Sequence, residues 1–187
     1  MNYIDKEIDD FKVTAYQQGE TMDVTKQDVL GKWAIFLFYP ADFSFICPTE
    51  LEALQDKYEE FKQAGAEIYT ISEDTEFVHK AWADASPEIG KIQYKMLADP
   101  AGKLARQFDV LDEEAGQAYR GVFIIDPDGK IQSYTVNNMA IGRSVDEILR
   151  TLQAAQFVRK YGDQVCPVNW HPGDKTLKPG MDLVGKL

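Results

Sequence analysis

Residues 33–51 read WAIFLFYPADFSFICPTEL. Trp33 to Tyr39 are seven consecutive apolar residues, too few to span a membrane and rich in aromatics. They predict a central strand buried on both faces. Pro40 ends it, because proline cannot donate to a ladder. A polar and aromatic turn follows, with Asp42 and Ser44, and then Cys47, Pro48, Thr49 and Glu50. Beyond it the period changes to 3.6. Leu51, Leu54, Tyr58 and Phe61 share one helical face, and Glu52, Asp56, Glu59, Glu60 and Lys62 take the others. Pro48 suits the first helical position, and Gly65 suits the helix end. Cys47 therefore stands where a strand hands over to a helix.

Working outward, scattered apolar residues (Ile4, Ile8, Phe11, Val13) and a Gly19-Glu20 turn predict short strands and a hairpin, then a helical turn over 24–28. Residues 66–72 (AEIYTIS) alternate and predict a second strand. Residues 74–85 predict a helix with Phe77, Ala81 and Trp82 on one stripe. A short strand over 94–98 stops at Asp99-Pro100, and 102–108 predict a short helix. Residues 109–120 are polar and acidic and predict a loop. Residues 121–126 (GVFIID) predict a buried strand, turned at Pro127-Asp128-Gly129 into a returning strand over 130–136. Ser144 and Glu147 form a capping-box pattern for a long helix to Tyr161, with Ile148, Leu152, Ala155 and Val158 on one face. From Gly162 onward Pro and Gly recur in an irregular arm that carries Cys166. The expected organisation is α/β: a central mixed sheet flanked by helices over 1–161, and a C-terminal arm over 162–187.

Composition narrows the function. With 187 residues, 44% of them hydrophobic, the chain can bury a core as one domain with a modest extension. A net charge of −11 argues against nucleic acid and against anionic membrane surfaces. The opening MNYIDKEIDDF has no apolar targeting core, so a cytoplasmic location is expected. Two cysteines do not make a disulfide scaffold; in a reducing compartment they are either inert or transient and catalytic. There is no CxxC. His171, five residues after Cys166, is the one nearby histidine, so no metal site is expected.

At a helix N-terminus, backbone N–H groups and the helix dipole favour an anion and so a thiolate. A free thiol of pKa ~8.5 is about 3% thiolate at pH 7. Complete ionisation could then accelerate attack by at most ~30-fold, about 2 kcal/mol. An efficient enzyme needs further groups that hold the substrate and stabilise a leaving oxygen. Ser44, Arg120, Glu50 and Arg143 are candidates by residue type. The plainer alternatives stand beside them. A lone cysteine is most often a small buried apolar residue. Ser44 can be an ordinary turn residue, and Arg120 a surface charge at a strand start. His79 and His171 lack obvious partners in sequence and read as solvent-facing or satisfied core residues. Trp82 and Trp170 read as packing residues.

The run Pro40-Ala-Asp-Phe-Ser44-Phe-Ile-Cys47-Pro48-Thr49-Glu50 resembles the active-site signature of typical two-cysteine peroxiredoxins, in particular their bacterial alkyl hydroperoxide reductase branch. Gln164-Val165-Cys166-Pro167 resembles the family's resolving-cysteine segment, and 141–147 (IGRSVDE) matches as well. The resemblance implies a thioredoxin-like fold and a peroxidase acting on hydrogen peroxide and organic hydroperoxides. It implies that Cys47 attacks the peroxide and becomes a sulfenic acid, and that Cys166 resolves it as an intersubunit disulfide. Pro40 would shield the site, Ser44 and Arg120 would orient the peroxide, and Glu50 and Arg143 would support them. It further implies a homodimer, assembled as a decamer ring, with no bound cofactor. Electrons would come from an NADH-dependent flavoprotein disulfide reductase or from thioredoxin. A protein dithiol-disulfide oxidoreductase and a redox-regulated holdase assembly are the alternatives; the missing CxxC counts against the first.

Two features depart from common family patterns. The chain carries no Gly-Gly-Leu-Gly insertion and ends Val184-Gly185-Lys186-Leu187 rather than in a Tyr-Phe extension, so resistance to excess peroxide is expected. Position 44 is more often Thr; Ser44 keeps the hydroxyl and loses the methyl that stiffens χ1. Ser44→Thr is expected to change peroxide turnover less than about tenfold, since the hydroxyl is retained. A larger change in steady-state assays would assign the methyl a role.

Overall fold

The computed structural model describes residues 2–186; Met1 and Leu187, the outer ends of the two expected segments, lie outside them. Residue contacts gather into two compact units, Met1–Val145 and Asp146–Leu187. In the first, β1 (Lys12–Gln17) and β2 (Glu20–Thr25) form a hairpin, followed by α1 (Lys26–Val29). Then come β3 (Trp33–Phe38), α2 (Cys47–Asp56), α3 (Tyr58–Gln63), β4 (Ala66–Ser72), α4 (Glu76–Ala85), α5 (Pro87–Gly90), β5 (Lys95–Ala98) and α6 (Lys103–Gln107). The small strands β6 (Leu111–Asp112) and β7 (Gln117–Ala118) precede β8 (Arg120–Ile125) and β9 (Ile131–Asn137). Seven strands form one mixed sheet in the order β2-β1-β5-β4-β3-β8-β9. β3 runs parallel to β4 and antiparallel to β8.

Every residue of β3 is buried, as its unbroken apolar run requires of a strand with neighbours on both edges and cover on both faces. Phe36 stands opposite Tyr69 on β4 and Phe123 on β8. Period two sends Ala34, Phe36 and Phe38 into one core cluster with Tyr69, Ile71, Phe123 and Ile125, completed by Leu104, Ala105 and Phe108. Phe36, Phe38, Phe108 and Phe123 meet tilted or edge-on, with ring centroids 4.7–5.8 Å apart. Offset ring geometry of this kind adds to plain area burial.

Several local readings need correction. The helix expected from Cys47 to Gly65 is two helices, broken at Lys57 (φ −102°, ψ 6°). No Gly or Pro marks the break, and the buried stripe runs through it, so periodicity could not reveal it. The chain does end at Gly65, whose φ of +69° glycine adopts without strain. β4 is buried nearly throughout rather than alternating, because β3 and β5 flank it in parallel. The expected stripe of α4 is rotated: Phe77 is 74% exposed and Ala81 is exposed, whereas His79 and Trp82 are buried. A polar ring can take a core position when its nitrogens are hydrogen-bonded, as those of His79 are. Residues 109–120 are not a plain loop. β6 and β7 pair there, the Asp112 carboxylate accepts from the N–H groups of Glu114 and Ala115, and Arg120 already belongs to β8.

The second unit contains nearly all of α7 (Val145–Tyr161), in which Ile148, Leu149 and Leu152 are buried while Val158 is 42% exposed. After it the chain is irregular. Val165 and Leu177 form an isolated antiparallel bridge, and buried Trp170 lies 4.9 Å from the Phe157 ring, centroid to centroid. Among the described residues no helix is long and apolar enough to cross a membrane.

Phe123 is fully buried and touches the rings of Tyr3, Phe38, Phe108 and Tyr134. Phe123→Ala is expected to destabilise the fold by about 3–5 kcal/mol, read as a lower midpoint in urea unfolding.

Candidate active site around Cys47

β3 ends at Phe38, and Tyr39 and buried Pro40 carry the chain into the loop 41–46. Cys47 is the first residue of α2 and Pro48 the second, with Ile46 at the cap position. The Ile46 carbonyl accepts from the N–H groups of Thr49 and Glu50 at 3.0 and 3.2 Å and from the Thr49 hydroxyl at 2.6 Å. The Cys47 side chain is fully buried. Glu50, three residues on, lies on the same helical face.

Arg120 opens β8, the strand paired with β3, and so reaches the same end of the sheet. Its Nη1 lies 3.4 Å from Cys47 Sγ and 2.8 Å from Glu50 Oε2, while Nε donates to the Met139 carbonyl at 2.6 Å. Arg143 closes on the same carboxylate. Its backbone N–H and Nε donate to Glu50 Oε1 at 2.8 and 2.9 Å, and Nη2 donates to Oε2 at 2.8 Å. Nη1 of Arg143 donates to the carbonyls of Phe38 and Gly121, both at 2.7 Å. Gly121 is itself required small: a Cβ there would stand 2.9 Å from Val110 Cγ1.

The side chains of Arg120, Glu50 and Arg143 are only 3–4% exposed. Burial works against the Glu50 charge, but the hydrogen bonds and charge of Arg143, then the charge of Arg120, outweigh it and hold the carboxyl below its ordinary range. Two guanidinium groups and one carboxylate leave a single positive charge uncompensated within the cluster. Cys47 Sγ is in contact with it.

Ser44 is half-buried, and its hydroxyl donates to the Ala41 carbonyl at 2.8 Å, which leaves its lone pairs to accept. The structure thus brings Cys47, Glu50, Arg120 and Arg143 into one hydrogen-bonded cluster. Pro40 and Ser44 lie on the loop leading to it. Cys166 belongs to the second unit. It is a half-buried free thiol with Sγ 3.9 Å from the Ala154 carbonyl. Burial pushes that thiol up, against the charge of Arg150. Sequence reasoning missed the carbonyls of Phe38, Gly121 and Met139, since a backbone acceptor has no residue signature. It also left His79 without a partner. The ring is fully buried and donates from Nδ1 to Asp42 Oδ2 at 2.7 Å, a residue 37 positions away. Among the described residues no three His, Cys, Asp or Glu side chains are grouped to hold a metal ion.

Comparison with known proteins agrees with this geometry. Residues 4–134 match the AhpC/TSA family, and residues 154–184 match the C-terminal domain of 1-Cys peroxiredoxin. Alkyl hydroperoxide reductase C of Bacillus subtilis is 51% identical over 187 residues, covering both chains completely. That of Staphylococcus aureus (strain NCTC 8325) is 50% identical over 189 residues, again with both chains covered. The crystal structure of Enterococcus faecalis AhpC is 55% identical, covers 89% of this chain and 100% of its own, and superposes with a TM-score of 0.88. Reduced Plasmodium vivax 2-Cys peroxiredoxin is 36% identical, covers 97% of this chain and 96% of its own, and gives a TM-score of 0.92. Its thioredoxin-like sheet, its full-length relatives and its family matches agree: the chain belongs to the AhpC/TSA family and is a peroxiredoxin.

Proposed function

We propose that this thiol peroxidase reduces hydrogen peroxide and organic hydroperoxides by attack of a Cys47 thiolate. The observation that carries the reading is Arg120 Nη1 at 3.4 Å from Sγ, within a buried cluster that holds one positive charge in excess. A thiolate supplies the missing negative charge, and a buried charge cluster is stable only when balanced. The helix N-terminus adds potential of the same sign.

In the first step the thiolate attacks one peroxide oxygen. An S–O bond forms, the O–O bond breaks, and the second oxygen takes up a proton equivalent to the one Cys47 released on ionising and departs as water or an alcohol. Cys47 is left as sulfenic acid, oxidised by two electrons. Arg120 donates to the oxygens as negative charge moves onto the leaving one, and Ser44 accepts from the peroxide O–H, fixing which oxygen meets the sulfur. Pro40 keeps water from the sulfur. Glu50 and Arg143 keep the Arg120 guanidinium in place.

In the second step Cys166 of the partner subunit attacks the sulfenic sulfur. An S–S bond forms and the hydroxyl leaves as water. A disulfide needs Cβ atoms about 4 Å apart, which a fully buried Cys47 does not permit. The loop 41–46, with Cys47 at its end, therefore opens between the two steps. Residues 1–161 act as the peroxidase body and 162–187 as the arm that delivers Cys166. Two electrons and two protons then regenerate both thiols, supplied by an NADH-dependent flavoprotein disulfide reductase or by thioredoxin. The working unit is a cytoplasmic homodimer, assembled as a decamer ring.

One equivalent of hydrogen peroxide added to reduced protein is expected to give a covalent dimer on a non-reducing gel within seconds. Cys47→Ser and Cys166→Ser should both abolish that dimer, and only Cys166→Ser should hold a sulfenic acid that dimedone can trap. Slow oxidation without a dimer would sink the mechanism. The two steps should also separate by pH. A thiol pushed up by burial has a thiolate fraction that grows about tenfold per pH unit until its raised pKa is reached. Disulfide formation in stopped flow should thus accelerate between pH 6 and 8. A flat profile would mean that Cys166 deprotonation does not limit resolution.

A further inference from the structure

Opening of the loop 41–46 requires some contact to be released, and the fold offers few. Asp42 is its anchor. Its carboxylate is fully buried and accepts from the Tyr39 hydroxyl (Oδ1, 2.7 Å) and from His79 Nδ1 (Oδ2, 2.7 Å). Its backbone N–H donates to Asp74 Oδ2 at 2.8 Å, and the Ser72 hydroxyl steadies that same oxygen at 2.9 Å. His79 is fixed in turn: its backbone is bonded in the first turn of α4, and its Nε2 lies 3.3 Å from the Leu97 carbonyl on β5.

Between Asp42 and Cys47 the loop is weakly held. Phe43 sits at φ +54°, a conformation unfavourable for a bulky L-residue, with its ring 5.9 Å from that of Trp82. Ser44 bonds only within the loop, and Phe45 is 94% exposed. Among the described residues no other polar tie joins 43–46 to another strand or helix outside α2. Asp42 is thus the last residue that polar ties to the sheet and α4 hold before the reactive sulfur.

We propose that His79 is a positioning residue for the peroxidase cycle, and that its bond to Asp42 is the latch that sets how often the Cys47 loop opens. The inference rests on the function proposed above. Sulfenic Cys47 has two fates. While the loop is closed, a second peroxide converts it to sulfinic acid; the second S–O bond forms at the expense of that peroxide's O–O bond, with loss of water or alcohol. Once the loop is open, Cys166 of the partner subunit captures it as the disulfide. A firm latch favours the first fate and a weak latch the second. The latch leaves the attack on the first peroxide nearly unaffected for as long as the closed loop remains the major population.

The test is the partition between these fates. His79→Leu removes the Nδ1 donor. It should raise the rate of disulfide formation about tenfold in stopped flow, and raise by a similar factor the peroxide excess needed to form sulfinic acid during turnover, read by intact mass. The rate constant of the first peroxide step should change less than about threefold. His79→Asn places an amide N–H where Nδ1 stood and should restore the wild-type partition. Tyr39→Phe, which deletes a single hydroxyl, should shift the partition in the same direction by a smaller factor, and keeps the test decisive if His79→Leu does not fold. An unchanged partition in Tyr39→Phe and His79→Leu, or an Asn variant no better than Leu, overturns the latch. Failure of the wild-type protein to form any peroxide-dependent disulfide would instead overturn the function on which it rests.

Discussion

Glu50 is a carboxylate removed from water, and the geometry of the whole active end follows from the need to pair it. An ionised carboxylate in the interior is tolerated only when its oxygens are filled by donors of opposite charge. Here four donor groups from two arginines fill them, and the arginines are filled in turn by carbonyls from Phe38, Gly121 and Met139. Five places in the chain converge as a result: the end of β3, the first turn of α2, the start of β8, and positions 139 and 143 beyond β9. The antiparallel pairing of β3 with β8 makes this possible, because it sets the end of one strand beside the beginning of the other. Losing any member leaves buried polar atoms of the others short of a partner, so the cluster behaves as one unit rather than as separable contacts.

The same constraint explains how far the sequence could be read. β3, β4, β8, β9 and α7 are legible because burial writes itself as apolar runs and periods. The Cys47 turn is legible because Pro40 and Pro48 punctuate it. The approach of Arg120 and Arg143 to Glu50 is not legible from spacing. It depends on strand order, which places β8 beside β3 although two other strands of that sheet and five helices come between them in sequence. The buried His79 illustrates the opposite failure. Hydropathy patterns assign a polar residue to the solvent face, so the expected stripe of α4 runs through Phe77 and Ala81, which are exposed, as well as through Trp82, which is buried. Only the meeting with Asp42, across 37 residues, makes a core histidine affordable. The break at Lys57 has no signal of either kind.

A peroxiredoxin site faces contradictory demands. Attack on a peroxide favours a dry, closed pocket in which the Arg120 guanidinium is fixed against the sulfur. In the proposed cycle, disulfide formation needs the same sulfur to reach another subunit. The two sides of Cys47 are held in different ways, and this indicates which side yields. On the helix side, Glu50 and both arginines would have to separate while still largely buried, at several kcal/mol for each exposed mismatch. On the loop side, the residues from Phe43 to Ile46 carry one backbone conformation of high energy, two exposed phenyl rings and, among the described residues, no polar tie beyond the loop and α2. Release at Asp42 returns a carboxylate to water, where it is well solvated, and frees Phe43 from its unfavourable φ. Local openings draw on segments with few buried contacts. The loop is therefore the part that can move while the charged cluster stays assembled beneath it, so that reclosing returns Cys47 to a guanidinium that has not left its place.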